Sequence, residues 1–337
     1  MAPGGGAGGD QAAVIDAAIV GLGWWGQKIV KAVQGRSSKI RFIRGVTQEP
    51  ETVQRLAEQH GIPLSTTLAE ALADDRVQAV VLATPHTLHP AQIAAVARTG
   101  RSVFSEKPLA LKLADARAAV DTCLQHNVVL GLGTNKRFWP ANRELKRLLA
   151  SGAVGTVLHV EGHYTNQNSG AHFSEWRTRR EEAPAAGMTG AGIHVLDALI
   201  SVAGSVEKAY AQTVLRKPQP DPLDAVTAVL RFRNEVSGVL ATVRSSAFFW
   251  RVHVFGDAGS VEALGENQVV VRLKDREPET LTYEPVDSLL AEFDAYADAV
   301  AGRAPYIRST DEMLATVGAF EAIVASIDTG LPVTLAS

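Results

Sequence analysis

The 337-residue sequence is poor in several features that indicate particular classes of protein. It has one cysteine, Cys123, which excludes an intrachain disulfide framework and a zinc site built from several thiolates. Lysine and arginine number 33 against 36 aspartates and glutamates, and they are scattered along the chain. The formal net charge of -3 therefore provides no basic field for a polyanion. We expect neither a nucleic-acid partner nor a metal site.

Long apolar runs are also missing. A charged residue interrupts every hydrophobic stretch before it reaches the roughly 20 residues that cross a bilayer. Residues 1–15 have neither the basic start nor the apolar core of an export signal, and their composition predicts a flexible tail. We therefore expect a soluble, cytoplasmic protein without a membrane partner.

Two domains are predicted from length and pattern, because 46% hydrophobic residues over this length suffice for two cores. Residues 16–136 alternate short apolar strands with helical stretches, which predicts a doubly wound parallel sheet of the Rossmann type. The predicted strands are 16–21, 40–47, 79–83, 102–105 and 128–131, with helices between them.

Residues 137–337 follow a different pattern, which predicts an α/β domain with a mostly antiparallel sheet. A helix at 141–150 is followed by strands and then by two closing helices. The strands are predicted at 156–165, 206–214, 225–232, 236–243 and 251–255, and the helices at 286–301 and 310–328. We assign substrate binding and oligomerisation to this domain.

A glycine-rich loop follows the first predicted strand. Gly21, Gly23 and Gly26 form GxGxxG between a strand and a helix, where the first glycine permits a tight turn and the second a close approach to a pyrophosphate. This context predicts dinucleotide binding. Trp24 and Trp25 lie inside the loop and are candidates for cofactor contact, although packing against the sheet is favoured.

The end of the second strand is the usual place of a carboxylate that binds the ribose of NAD. Thr47 stands there, with Glu49 two residues on as the alternative acceptor. A carboxylate at this position would repel the 2′-phosphate of NADP, whereas the Thr47 hydroxyl does not. NAD and NADP are both permitted, and NADP is slightly favoured.

Further landmarks then appear in order along the chain. They are Thr84-Pro85, His89, Glu106-Lys107-Pro108, Arg137-Phe138-Trp139-Pro140 and Gly192-Ile193-His194-Val195-Leu196-Asp197. In order and spacing they resemble the glucose-fructose oxidoreductase and inositol dehydrogenase (Gfo/Idh/MocA) family, and the resemblance covers almost everything from Ala17 to Leu335.

The resemblance implies a Rossmann domain followed by an α/β domain with a large open sheet, and an active site in the cleft between them. Family members oxidise or reduce sugars, inositols and related cyclic alcohols with a nicotinamide dinucleotide. Lys107 would contact the nicotinamide and the reacting oxygen, His194 would be the acid/base, and Glu106 would lie near the nicotinamide ribose. Thr84, Pro85 and His89 would belong to the cofactor site.

The roles implied for Lys107 and His194 are also chemically reasonable without the resemblance. Removal of a hydride from a carbinol carbon requires a base within reach of the hydroxyl, and histidine suits this at neutral pH. If Gly192 opens a helix, the dipole keeps His194 neutral, while cationic Lys107 stabilises a developing alkoxide.

A weaker set of residues is predicted to line the substrate pocket. Asp197 shares a helix face with His194, although a structural role is favoured for it, and Arg137 has an interdomain ion pair as its alternative. The remaining candidates lie on a strand and the following polar loop, and are His163, Tyr164, Asn166, His172, Trp176 and Arg177.

One position departs from the family pattern: Gly190 stands where an aspartate is usual, four residues before His194. The loss of this carboxylate weakens the case for a plain polyol and keeps a cis-dihydrodiol or a carboxylated ring as alternative substrates. A non-catalytic nucleotide-sensing regulator of the same fold is a further alternative. An open apolar sheet face predicts a homodimer or homotetramer through the C-terminal sheet.

Overall fold

The computed structural model describes residues 14–166, 174–216 and 223–336. Over these residues the first sheet has six parallel strands in the order β3-β2-β1-β4-β5-β6. The strands are β1 (Ile15–Val20), β2 (Ile40–Val46), β3 (Leu64–Ser65), β4 (Ala79–Leu82), β5 (Ser102–Ser105) and β6 (Leu130–Leu132). This is the strand order of a dinucleotide-binding sheet, so the predicted doubly wound fold is confirmed.

Helices cover both faces of this sheet, as right-handed parallel crossovers require. They are α1 (Trp24–Val33), α2 (Gln54–His60), α3 (Leu68–Leu72), α4 (His89–Ala97) and α5 (Leu113–Gln125). The sequence prediction missed β3 and α3, because a two-residue strand and a five-residue helix are too short to show a hydrophobic period.

The second sheet has nine strands within the described residues, in the order β14-β13-β12-β11-β7-β10-β9-β8-β15. Its strands are β7 (Val157–Thr165), β8 (Val206–Val214), β9 (Ala225–Phe232), β10 (Ser237–Val243), β11 (Phe249–Gly256), β12 (Gly259–Leu264), β13 (Gln268–Leu273), β14 (Glu279–Thr282) and β15 (Val333–Thr334). Only β7 and β10 pair in parallel, so the mostly antiparallel prediction is confirmed. The prediction missed β12, β13 and β14, which continue the meander from β11, and the short strand β15, which pairs with β8 at the other edge.

Three helices pack on one face of the second sheet and form its core. These are α6 (Pro140–Ala150), α7 (Ile193–Ala203) and α9 (Thr310–Thr329). The opposite face carries exposed side chains, because residues alternate between the two faces along each strand. Tyr210 and Val229, for example, pair across β8 and β9 on the outer side.

The C-terminal helices also tie the two sheets together. Helix α8 (Ser288–Val300) packs on the first sheet, where the Phe293 ring lies 4.5 Å from that of Phe104. Met313 and Val317 of α9 join the core on the other face of the first sheet. A helix from the C-terminal half therefore completes the N-terminal core, and the boundary at residues 136/137 stays a prediction.

Within the described part of the chain, no helix combines the length and the hydropathy that a bilayer span requires.

Candidate active site

The glycine loop lies between the carboxyl end of β1 and the start of α1. Gly21 has φ +91°, and an added Cβ would lie 2.5 Å from the carbonyl oxygen of Ala83. A Cβ on Gly26 would lie 2.0 Å from the oxygen of Gly21, so this glycine permits close contact between helix and strand. A Cβ on Gly23 meets nothing within 4 Å. The open space at Gly23 is where the backbone can approach a pyrophosphate.

The N-terminus of α1 fits an anionic group. No side chain caps it, and its first turn carries no acidic residue, so its N–H groups and dipole are available. Trp24 is 39% exposed there, and the Lys28 ammonium lies 4.3 Å from its ring centroid. The Trp25 ring packs against the core of the first sheet, in agreement with the packing role favoured for it.

A cavity of about 320 Å³ opens between this loop and the second sheet. Its wall combines residues from both domains, which makes it the cleft that the resemblance implied. Among the residues on its wall are Trp24, Trp25, Lys28, Thr84, His86, Glu106, Lys107, Asn135, Lys136, Tyr164, Asn166, Arg177, Gly190, His194 and Arg244.

Lys107 and Glu106 follow β5 and project into this cleft. The Lys107 ammonium donates a hydrogen bond to the carbonyl oxygen of Gly190, which joins the two domains. Burial lowers the pKa of Lys107 to about 8, against the attraction of Glu106. Burial also raises the pKa of Glu106, which the neighbouring Lys107 partly opposes.

His194 lies in the first turn of α7, which is preceded by a π-helical turn at Met188–Gly192. Burial, and then repulsion from Lys107 and Lys136, hold the pKa of His194 well below its usual value. Its Nδ1 is buried and has no hydrogen-bond partner among the described residues. An imidazolium needs acceptors for both ring N–H groups, so this environment favours the neutral ring. The helix dipole predicted the same direction, but burial is the larger cause.

Lys136 is a cleft residue that the sequence analysis did not single out. It lies in a 3₁₀ turn at Asn135–Phe138, and its ammonium lies over three aromatic rings. The distances to the ring centroids are 3.9 Å for Trp139, 4.9 Å for Tyr164 and 5.4 Å for Trp250. Burial, with repulsion from Lys107, lowers the pKa of Lys136 to about 7. The only feature of the sequence that indicates a role for Lys136 in the cleft is its position next to Arg137 in an aromatic-rich segment.

Trp176 and Arg177 lie in a 3₁₀ turn that closes one side of the cleft. The Arg177 guanidinium lies 4.3 Å from the Trp176 ring centroid, and the Trp176 ring meets His86 edge-on at 4.9 Å. Only Arg177 of this pair reaches the cavity wall. Burial lowers the pKa of Arg177.

Arg137 and Asp197, two predicted substrate residues, lie outside the wall of this cavity. Arg137 donates two hydrogen bonds to Asp197, at 2.7 and 2.8 Å, and pairs with Glu312 at 3.0 Å. Arg308 reaches the same carboxylate at 2.9 Å. This buried ion cluster satisfies their charges internally, so the geometry favours a structural role for Asp197. Arg137 is also structural, but its ion pairs lie within residues 137–337 and not between the domains, as its alternative had it.

His89, predicted in the cofactor site, is fully buried. Its ring nitrogens lie 2.7 Å from the carbonyl oxygen of Pro108 and 3.0 Å from that of Thr84. The ring therefore joins the two loops that follow β4 and β5, and it has no free edge for a cofactor. Burial lowers the pKa of His89. Thr84 lies on the cavity wall with its hydroxyl 2.6 Å from Gln92 Oε1, whereas Pro85 is half-buried behind it.

Tyr164 and His163 are neighbours on β7, so their side chains point to opposite faces of the second sheet. Tyr164 faces the cleft, and its hydroxyl accepts a hydrogen bond from Asn166 at 3.1 Å. His163 faces the opposite side of the sheet, across from Arg251. Thr47 directly follows β2, and its hydroxyl accepts a hydrogen bond from the Glu49 amide at 3.3 Å. His172 lies outside the described residues.

Comparison with known proteins agrees with this geometry. Residues 15–134 match the model of the oxidoreductase family with an NAD-binding Rossmann fold, and residues 142–262 match the GFO/IDH/MocA C-terminal domain. The chain belongs to the GFO/IDH/MocA oxidoreductase family. The predicted family resemblance is therefore confirmed.

Relatives and solved structures of this family show how far the likeness extends. An uncharacterized oxidoreductase of Streptococcus pneumoniae is 27% identical over 252 residues, which cover 73% of this chain but only 66% of that protein. The inositol 2-dehydrogenase of Rhizobium meliloti is 25% identical over 92% of this chain and 96% of its own length. The WlbA dehydrogenase of Bordetella pertussis, crystallised with NADH and UDP-GlcNAcA, superposes with a TM-score of 0.83. It is 22% identical, and the alignment covers 96% of this chain and 98% of that one, so it shows the fold.

Proposed function

We propose that this GFO/IDH/MocA protein is an NAD(P)-dependent dehydrogenase or reductase that acts on a CH–OH or carbonyl carbon of a sugar, an inositol or a related ring. The observation that carries the proposal is the meeting of Lys107 and His194 in one cavity beside the glycine loop. A dinucleotide bound at that loop would accept or return the hydride.

The chain's own residues would move the proton and stabilise charge. His194 accepts the proton of the substrate hydroxyl, because its lowered pKa keeps the ring neutral and leaves one nitrogen lone pair available at neutral pH. Lys107, with a pKa of about 8, is mostly cationic at neutral pH and stabilises negative charge on the reacting oxygen.

The choice of dinucleotide depends on position 47. Without a carboxylate at the end of β2, Thr47 permits the 2′-phosphate of NADP as well as the ribose of NAD. We expect both dinucleotides to bind, with NADP slightly preferred, in a cytoplasmic setting.

The outer face of the second sheet supports a homodimer or homotetramer. Tyr210, Val229 and Phe249 are 44%, 55% and 45% exposed on this face, where no described helix covers them. Burial of these side chains against a second copy would remove apolar area from water. Sedimentation of a monomer alone at micromolar concentration would contradict this.

Single substitutions of the two proposed catalytic residues test the function. His194→Asn should lower turnover by about 10²- to 10⁴-fold and leave dinucleotide affinity close to its original value. Lys107→Ala should lower turnover similarly and also weaken the cofactor. If His194→Asn keeps nearly full turnover while Lys107→Ala is inactive, the base is Lys107 or a residue of segment 163–177.

A panel of sugars and inositols with each dinucleotide, followed at the nicotinamide absorbance band, separates an enzyme from a non-catalytic regulator. Dinucleotide binding without turnover of any member would favour the regulator.

A further inference from the structure

The cleft has an excess of positive charge. Among the described residues on its wall, the basic side chains are Lys28, Lys107, Lys136, Arg177 and Arg244, whereas Glu106 is the single carboxylate. Burial raises the pKa of Glu106 and lowers the pKa of Lys107 to about 8 and of Lys136 to about 7, so a bound anion would increase the charge of both lysines. A wall of this composition attracts an anion.

Three of the five cations have a counter-charge among the described residues, and the fourth, Lys28, lies at the dinucleotide end of the cleft. Arg244 pairs with Asp224 at 2.5 Å. Lys107 and Arg177 both lie within the field of Glu106. Lys28 lies on α1 beside the glycine loop, where the phosphates of a bound dinucleotide would meet it.

Lys136 differs from the three paired cations, and it differs from Lys28 because it does not lie beside the glycine loop. Among the described residues, its ammonium has no carboxylate in an ion pair and no hydrogen-bond acceptor, and Glu266 acts on it only from a distance. The three aromatic rings beneath it stabilise the cation but leave its N–H groups without acceptors. The rings also hold the ammonium in one place, so that little side-chain freedom is lost when an anion binds.

The surroundings of Lys136 place it at the substrate end of the cleft. Tyr164 and Trp250 belong to the second sheet, away from the glycine loop. Lys136 and His194 lie on the wall of the same cavity of about 320 Å³, so one small molecule bound there can contact both. Gly190, where the family usually has a carboxylate, lies on the same wall and adds no negative charge.

We propose that the substrate carries a carboxylate that binds Lys136, so that the enzyme acts on a sugar acid or ring acid rather than on a neutral polyol. This inference rests on the proposed function and specifies its substrate class. A carboxylate fits a single ammonium better than a phosphate does, because phosphate sites are usually built from several backbone N–H groups or arginine forks.

The test compares three probes that share one sugar ring: D-glucose, D-glucuronate and D-glucose 6-phosphate, with the galactose series in parallel. We expect a uronate to have at least about tenfold higher kcat/KM than its neutral hexose, in line with a charge-assisted hydrogen bond. Lys136→Met should lower the ratio of kcat/KM for the acid to kcat/KM for the neutral sugar by about 10- to 100-fold, and Lys136→Arg should restore part of this ratio. Equal use of acid and hexose, a preference for the phosphate ester, or an equal loss on both sugars in Lys136→Met would overturn the proposal.

A binding measurement separates this proposal from the proposed function. Malonate, a non-oxidisable dicarboxylate, is titrated into the dinucleotide-loaded wild type and Lys136→Met by calorimetry. Malonate affinity that falls at least about tenfold in the variant supports the carboxylate site even if no alcohol is oxidised. Equal malonate affinity in both proteins rejects the site, even where hexoses are oxidised. Lys28→Met, which removes a cation at the dinucleotide end, should alter the dinucleotide affinity and not the ratio of acid to neutral sugar.

Discussion

Gly190→Asp would restore the carboxylate that this chain lacks relative to the family pattern. The position has room for the side chain, because a Cβ on Gly190 meets nothing within 4 Å. The Lys107 ammonium already donates to the carbonyl oxygen of the same residue, so the new carboxylate would lie within about 5 Å of it.

The expected size of the effect follows from this separation. Two opposite charges about 5 Å apart at an effective dielectric constant of about 20 attract each other by about 3 kcal/mol, or about 2 pKa units. Solvent in the open cleft reduces this to about 1 to 2 units. The pKa of Lys107, now about 8, would rise accordingly. A cation with a raised pKa stays charged to higher pH, so activity that depends on this charge would persist to more alkaline pH.

The assay is the pH dependence of kcat/KM for the wild type, Gly190→Asp and the nearly isosteric Gly190→Asn. The alkaline limb should move upward by about 1 to 2 units in the aspartate variant and stay in place in the asparagine variant. The pKa of His194, which Lys107 and Lys136 lower, should rise as well and move the acid limb in the same direction. Superimposable profiles from variants with unchanged melting temperatures would refute the electrostatic account of this site.

Four further substitutions test the glycine loop, the choice of dinucleotide and the buried ion cluster. Gly23→Ala should weaken dinucleotide binding at least about tenfold without lowering the melting temperature, because the added Cβ meets no protein atom within 4 Å. Gly26→Ala should instead destabilise the fold, because its Cβ would lie 2.0 Å from the main-chain oxygen of Gly21. Calorimetric titration and thermal unfolding distinguish the two outcomes. Thr47→Asp should shift the ratio of kcat/KM values from NADP towards NAD by repelling the 2′-phosphate, and an unchanged ratio would place the ribose elsewhere. Arg137→Met should lower the free energy of unfolding by about 1.5 to 3 kcal/mol, because Asp197 loses its bidentate hydrogen bonds and keeps only Arg308 as a buried cation. Denaturant titration measures that loss, and a change under about 1 kcal/mol would mean that the cluster reorganises.

Local patterns were enough to predict the scaffold of the Rossmann half. The run at β5 was predicted to the residue, because four buried residues between polar turns form a signal that no distant contact has to complete. The glycine loop was predicted for a similar reason. The open space at Gly23 and the positive φ at Gly21 are requirements of one short segment, and glycine at both positions meets them.

Site residues that depend on distant partners were predicted less well. Arg137 and His89 have the chemistry of ligand-binding residues, yet Asp197 neutralises the first and two carbonyl oxygens enclose the second. Lys136, adjacent to Arg137, turns to the opposite side of a short 3₁₀ segment and reaches the cleft. No periodicity in the sequence distinguishes these neighbours.

The sequence by itself determined the class of fold and the glycine loop, because each depends on short-range steric and hydrogen-bonding requirements that a few adjacent residues express. The family resemblance, and no local pattern, predicted that Lys107 and His194 share a site. Tertiary structure alone decided which charges are neutralised in the interior and which remain on the cavity wall. That outcome depends on side chains far apart in the chain, such as Tyr164 and Trp250 beneath Lys136, being brought together when the second sheet folds. Electrostatic energy depends on distance and burial, and neither is a property of sequence separation.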